Sequence, residues 1–236
     1  MTNLSYTTVS SYLACPSKIM YKLQGVKTAK NGALVYGSAY HEILSKSFKG
    51  QKPNIQTIIE SYFKGVKKDE DDWNGIVKMG ERDWPVDVMS SWMEEAVSLI
   101  LSQPTKPQST ELTITKKFPN FNLKGVIDAF WDGYVVDFKL AGKYYKIDPL
   151  QAVCYALLSG GPTKFRFVVV YKEKTPRLEV INVPEAQDPY YLNWVIDRVL
   201  TPVARGIESG NFPANPAYQW CKDAYCPYWV CCMGKR

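Results

Sequence analysis

Gly125-Val126-Ile127-Asp128-Ala129-Phe130-Trp131-Asp132-Gly133-Tyr134-Val135-Val136-Asp137-Phe138-Lys139 is a pair of β-branched and aromatic runs joined by Asp-Gly. Asp-Gly between such runs predicts a two-residue type I′ hairpin, because both central residues need positive φ, which Gly adopts freely and Asp tolerates. The turn sets the register of everything beyond it. Trp131 faces Tyr134, Phe130 faces Val135, Ala129 faces Val136, and Asp128 falls opposite Asp137. Side chains alternate along a strand, so Asp137 and Lys139 share one face while Tyr134, Val136 and Phe138 take the other. Two facing carboxylates repel, and burying them among Val126, Phe130 and Val135 is costly unless a cation compensates. Lys139 alone is one charge short. The deficit fits a hard divalent cation, Mg2+ or Mn2+, which takes one or two carboxylates together with waters and phosphate oxygens. The competing reading is an ordinary hairpin whose acids face water.

Outward from the hairpin, the patterning predicts a mixed α/β chain. At 236 residues and 46% hydrophobic composition it can bury a sizeable core, and a single domain over 1–236 is expected. Residues 1–110 read as mainly helical, with helices over 7–23 (broken at Pro16), 36–48, 54–66 and 83–102. The acidic stretch from Lys68 to Asp72 reads as a solvated loop, and 103–108 as a linker. Residues 111–187 change regime, with strands over 111–118, 122–131 and 134–140 forming an antiparallel meander. Asp148-Pro149 then supplies an N-cap and a first-turn proline, Gly160-Gly161 a stop, and strands follow at 164–172 and 177–183. Residues 188–236 hold a long helix to about 209 and a tail rich in Pro and Cys.

Composition narrows the setting. No apolar run reaches about 18 residues and the first residues lack the pattern of a signal peptide, so an intracellular, non-membrane protein is expected. Lys plus Arg number 29 against 23 for Asp plus Glu, a modest bias toward a polyanionic partner. Six cysteines in a reducing compartment seldom form structural disulfides.

Other residues could join the hairpin acids. His41 is the single histidine, on a predicted helix one turn after Gly37, whose missing side chain permits a close approach. It is a candidate metal ligand, set against the commoner role of a core or surface histidine. Gln151 and Tyr155 lie four apart on one face of an apolar helix, where their polar tips need partners in the sheet or on a substrate. Lys143, Tyr144, Tyr145 and Lys146 place two cations and two rings beside the hairpin, a combination suited to single-stranded nucleic acid. At the C-terminus Cys221, Cys226, Cys231 and Cys232 put four thiols within twelve residues, and Cys15 makes five candidates for the four positions of a Zn2+ ion or an iron-sulfur cluster. Cys154, inside an apolar helix, reads as core.

Gly37-x-x-x-His41, Gly125-Val-Ile-Asp128, Asp137-x-Lys139 and Gln151-x-x-x-Tyr155, in that order, resemble the motifs of RecB-type nucleases of the PD-(D/E)XK superfamily. Cys15-Pro16 paired with a C-terminal cysteine cluster resembles the iron-sulfur subgroup, which includes CRISPR-associated, helicase-linked and phage-encoded exonucleases. The resemblance implies a restriction-endonuclease-like α/β fold, a mixed sheet flanked by helices. It implies metal coordination by His41, Asp128 and Asp137, with Lys139, Gln151 and Tyr155 assisting catalysis. It implies a 4Fe-4S cluster on Cys15, Cys221, Cys226 and Cys232, although four residues rather than two separate Cys221 from Cys226 and Cys231 adjoins the last ligand. The expected activity is metal-dependent DNA exonuclease action on single strands or ends, in the cytoplasm of a bacterium, archaeon or phage-infected cell. Structure-selective endonuclease action and a non-catalytic nucleic-acid-binding iron-sulfur or zinc subunit are the alternatives, and a homo-oligomer or a recombination or CRISPR partner is a possible association.

Overall fold

The computed structural model describes residues 1–28, 32–64, 66, 85–142, 144–222 and 226–234. The expected loop from Lys68 to Asp72 and residue Lys143 fall outside them. Six strands form one mixed sheet: β1 (Thr2–Leu4), β2 (Ser109–Lys117), β3 (Phe121–Trp131), β4 (Tyr134–Ala141), β5 (Phe165–Tyr171) and β6 (Arg177–Asn182). Their order is β1-β3-β4-β5-β6, with β2 also paired to β3. Helices α1 (Tyr6–Ala14), α2 (Pro16–Leu23), α3 (Gly32–Phe48), α4 (Ile55–Phe63) and α5 (Val86–Leu101) precede the main strands, and α6 (Pro149–Ser159) separates β4 from β5.

Each sheet face has its own core. Ala129, Trp131, Val136, Phe138, Val168 and Val170 pack under α3, α4 and α5. Leu123, Ile127, Val135, Phe165, Phe167 and Val169 meet α6 and the C-terminal helices on the opposite face. The alternation expected of β4 therefore holds, with Val135 on one side and Val136 and Phe138 on the other. Cys154 is fully buried in α6, as its apolar setting predicts.

The hairpin forms as read. Asp132 and Gly133 have φ of 53° and 75°, and the ladder pairs Trp131 with Tyr134, Phe130 with Val135 and Ala129 with Val136. It stops there. Asp128 and Asp137, expected as the next rung, are not paired through their backbones. Instead Asp128 Oδ2 accepts the Phe138 N–H at 2.8 Å, while β4 turns away to run parallel to β5 from Val135 to Ala141. Leu123 pairs with both β1 and β2, and Ala129 with both β4 and β2, so β1 and β4 lie along the same edge of β3. Between them, residues 124–128 have no strand partner on that edge among the described residues. This notch is where the candidate site sits.

One expected break is present and two features differ from the sequence reading. The break at Pro16 separates α1 from α2, with Cys15 extended between them. The strand β1 was not expected, because three residues carry no periodicity and gain strand character only from their distant partners at 121–123. The long C-terminal helix runs as α7 (Pro189–Val195), a π turn at Ile196–Leu200 and α8 (Thr201–Glu208). Pro202 lacks an N–H and its ring would clash with the carbonyl four residues back, and the π turn absorbs that conflict.

The packing of α6 across β3 depends on Gly125. A Cβ there would lie 2.6 Å from Leu158 Cδ1 and 3.3 Å from Tyr155 Cε1. Gly125→Ala should therefore overpack the interface and cost about 1–3 kcal/mol, read as a lower urea midpoint with an unchanged slope.

Candidate active site

Asp137 sits at the floor of the notch with its side chain 2% exposed. Its Oδ1 accepts Gln151 Nε2 at 2.8 Å, which fixes the carboxylate from α6. Lys139 Nζ lies 2.7 Å from Oδ2, on the face the strand alternation predicted. Lys139 is therefore the partner of that buried oxygen, and it opposes the effect of burial on the carboxyl. A buried carboxylate pair beside a single ammonium leaves room for a further cation ligand. Tyr155, one turn beyond Gln151, lines the same cleft between Gly125 and Phe165.

Asp128 is shared between two groups. Its Oδ2, held by the Phe138 N–H, is 3.4 Å from His41 Nδ1. One donor atom each from His41, Glu111 and Asp128 falls within 4.8 Å of the others. The site thus differs in emphasis from the expected ligand set of His41, Asp128 and Asp137. Glu111 joins His41 and Asp128, and Asp137 lies toward Lys139 and Gln151. Glu111 has φ of 54° where the β2–β3 ladder skips one pair, between Thr110–Ala129 and Leu112–Ile127. A non-glycine residue held there costs about 1–3 kcal/mol, and such strain gathers at functional sites.

Glu111 was missed, but its signal was present. The Phe118 N–H donates to the Phe121 carbonyl across Pro119-Asn120 at 2.8 Å. Counting back from that turn brings Glu111 opposite Asp128, as counting from Asp132-Gly133 brings Asp137. Ser5, Tyr6, Thr7 and Lys124, also unforeseen, complete the wall of a cleft of about 590 Å³ that contains Asp128, Asp137, Lys139 and Gln151. Tyr6 Oη donates to Asp148 Oδ2 at 2.6 Å, tying the start of α1 to the N-cap of the helix that carries Gln151.

Other expected residues lie differently. A Cβ at Gly37 would meet nothing within 4 Å among the described residues, so the space beside it is open there. Tyr144 is 77% exposed, whereas Tyr145 turns inward with its ring 5.3 Å from Phe167. Lys146 is exposed beside them. Cys15 comes from one end of the chain and Cys221, Cys226, Cys231 and Cys232 from the other, and α1 and α2 bring them together. Asn215 donates from its side chain to the Ala14 carbonyl at 2.9 Å and from its backbone to Cys15 Sγ at 3.4 Å. Tyr21 stacks on Tyr228 at 5.4 Å. Burial pushes the Cys221 thiol up, and the nearby Cys226, Cys15 and Cys232 add to the effect.

The electrostatics of the notch suit cation binding. Burial pushes Asp128 up to about 7, with the Phe138 N–H and Lys139 opposing the shift. Burial and the Asp128 charge push Asp137 up to about 7 as well, again against Lys139. Burial lowers His41 from its ordinary value, which favours the neutral imidazole that a metal requires.

Stability without metal should follow from these shifts. Carboxyls near 7 in the fold and about 3.9 unfolded bind more protons in the native state, so their contribution is present in acid and lost as pH rises through about 7. His41 acts oppositely, and only as pH falls below about 6.5. Metal-free Asp137→Asn should therefore melt above the wild type at pH 8, with the gap closing toward pH 5. Thermal melts in chelator at both pH values measure this, and a gap independent of pH would contradict it.

The sequence matches the profile of the PD-(D/E)XK nuclease superfamily over residues 3–233. No curated protein sequence matches the chain. Among solved structures, the chain is similar to the crystal structure of a "Putative exonuclease" from Eubacterium rectale, with a TM-score of 0.62 and 16% identity over 99% of this chain and 88% of that one. At that identity the likeness carries the fold, a mixed sheet flanked by helices. Through the profile, which covers nearly its whole length, the chain belongs to the PD-(D/E)XK nuclease superfamily.

Proposed function

We propose that this nuclease is a Mg2+- or Mn2+-dependent DNA exonuclease acting on single strands or ends, its whole chain working as one domain. The observation that carries the reading is the convergence, at one notch in the sheet, of Asp128 and Asp137 with Lys139 2.7 Å away and with His41 and Glu111 beside them. His41, Glu111 and Asp128 would hold a divalent cation, with Asp137 available to the same or a second one. A cation so bound would lower the pKa of a ligated water and offset charge developing on the phosphate. Lys139, beside Asp137, would add its positive charge to the stabilisation of the same phosphate. Gln151 keeps the Asp137 carboxylate from rotating. The buried depth of Asp137 favours a single strand or frayed end over an intact duplex, since the phosphate must descend into the cleft.

The chain ends would be joined by a 4Fe-4S cluster on Cys15, Cys221, Cys226 and Cys232. Support comes from the nearness of Cys15, Cys226 and Cys232 to Cys221 and from the Asn215 contacts to Ala14 and Cys15. Anaerobically purified protein should absorb in the visible and contain about four iron atoms per chain, and Cys15→Ala should bleach it. Colourless protein carrying zinc would replace this cluster with a zinc site.

Asp137→Ala and Lys139→Ala should each lower degradation of end-labelled DNA by at least roughly 10²-fold while far-UV circular dichroism stays unchanged. Undiminished activity in both would remove the nuclease assignment from this site. Linear single strands should be degraded in Mn2+ and circular ones spared. Cutting of circles would point to structure-selective endonuclease action instead.

A further inference from the structure

Beyond His41 the polar face of α3 continues. Ser38, His41, Glu42, Ser45 and Lys46 follow the helical spacing of one face, with Lys49 just past the last residue of the helix, opposite the buried Val35, Tyr36, Ala39, Tyr40 and Ile43. With Tyr62 of α4 they line a second cavity of about 580 Å³, and His41 and Glu111 wall both this cavity and the catalytic cleft. The candidate metal group therefore stands between two cavities of similar size, not at the end of one. A strand whose phosphodiester is cut at that group has nucleotides on both sides of the bond. The cleft beside β3 and α6 can take one side, and the α3 groove is open to the other.

The chemistry of the groove is graded. At His41 and Glu111 it has metal-binding character, and about 12 Å along the helix it ends at Lys49. Between them Lys46 Nζ is held by Glu42 Oε1 at 2.7 Å, and Tyr62 Oη donates to Glu42 Oε2 at 2.9 Å. The Lys46 and Glu42 side chains are 41% and 35% exposed, so solvent screens the pair and it holds weakly. A phosphate can draw Lys46 from it at little cost, whereas Glu42 sets a repulsive charge beside the strand's path.

We propose that this face of α3 is a second DNA subsite, in which Lys46 and Lys49 contact the phosphates of the strand on one side of the bond to be cut. The proposal rests on the nuclease reading. Its test is binding of a fluorescent single-stranded oligonucleotide in Ca2+ at several salt concentrations. Lys49→Gln should weaken binding and reduce the slope of log K against log salt by about 0.7, the value for one lost phosphate contact on a single strand. Glu42→Gln should act in the opposite direction, tightening binding several-fold by freeing Lys46 and removing the negative charge. Lys174→Gln, against another cavity, serves as the control. Unchanged affinity and slope in both groove variants, or equal loss in Lys174→Gln, would overturn the subsite. In that case Lys139→Ala still reports separately on the nuclease reading, because it is scored by cleavage.

Discussion

One hydrogen bond stands where a backbone rung of the sheet would otherwise be. The Phe138 N–H is taken by the Asp128 side chain rather than by a neighbouring carbonyl, so β3 and β4 remain tied at the point where their backbones part. Without that link, separating two strands inside a sheet would strand a buried amide, at a cost of about 1–3 kcal/mol. With it, β4 is free to pair with β5 while its first residues stay in the hairpin. The notch, the cleft above it and the position of Asp137 all follow from this substitution of a side chain for a main chain.

The arrangement is electrostatically unfavourable by itself, and the rest of the fold holds it in place. Two carboxylates near one another, both pushed up to about 7, would separate or turn outward on a pliant surface. Here the strands that carry them are clamped by cores on both faces. Trp131 and Phe138 pack against Phe48 of α3, and Phe165 and Phe167 against each other near α6. At the hairpin tip Trp131 Nε1 donates to Thr105 Oγ1 at 2.7 Å and Thr105 donates to Asp132 Oδ2 at 2.8 Å, so the turn itself is anchored. The cores supply the rigidity that keeps the two acids together.

Much of this was legible in the sequence, because short-range chemistry specified it. Asp132-Gly133 fixed a register correct to its last backbone pair, and Asp148-Pro149 began α6 as capping requires. Asp137 with Lys139, and Gln151 with Asp137, came together because strand alternation and one helix start determine where they point. What escaped depended on distant partners. The loss of the Asp128–Asp137 rung reflects the pull of β5, some thirty residues later. The strand β1 exists only through residues 121–123, and Ser5, Tyr6 and Thr7 reach the cleft only because β1 docks there. Glu111 was recoverable by counting from Pro119-Asn120, but nothing in the composition of that turn marks its geometry as plainly as Asp-Gly marks a type I′ turn.

The tie between the chain's extremities bears on how the molecule is made. Ser5, Tyr6 and Thr7 are made well before the residues that hold the far end of α1 and the start of α2, because those contacts come from Asn211, Phe212 and Asn215, some two hundred residues later. A nascent chain can therefore complete the hairpin and α6 while its α1 still lacks this anchor. The cleft wall gains this anchor only when the later residues emerge, so assembly of the acidic centre and anchoring of the wall beside it are separate events in time.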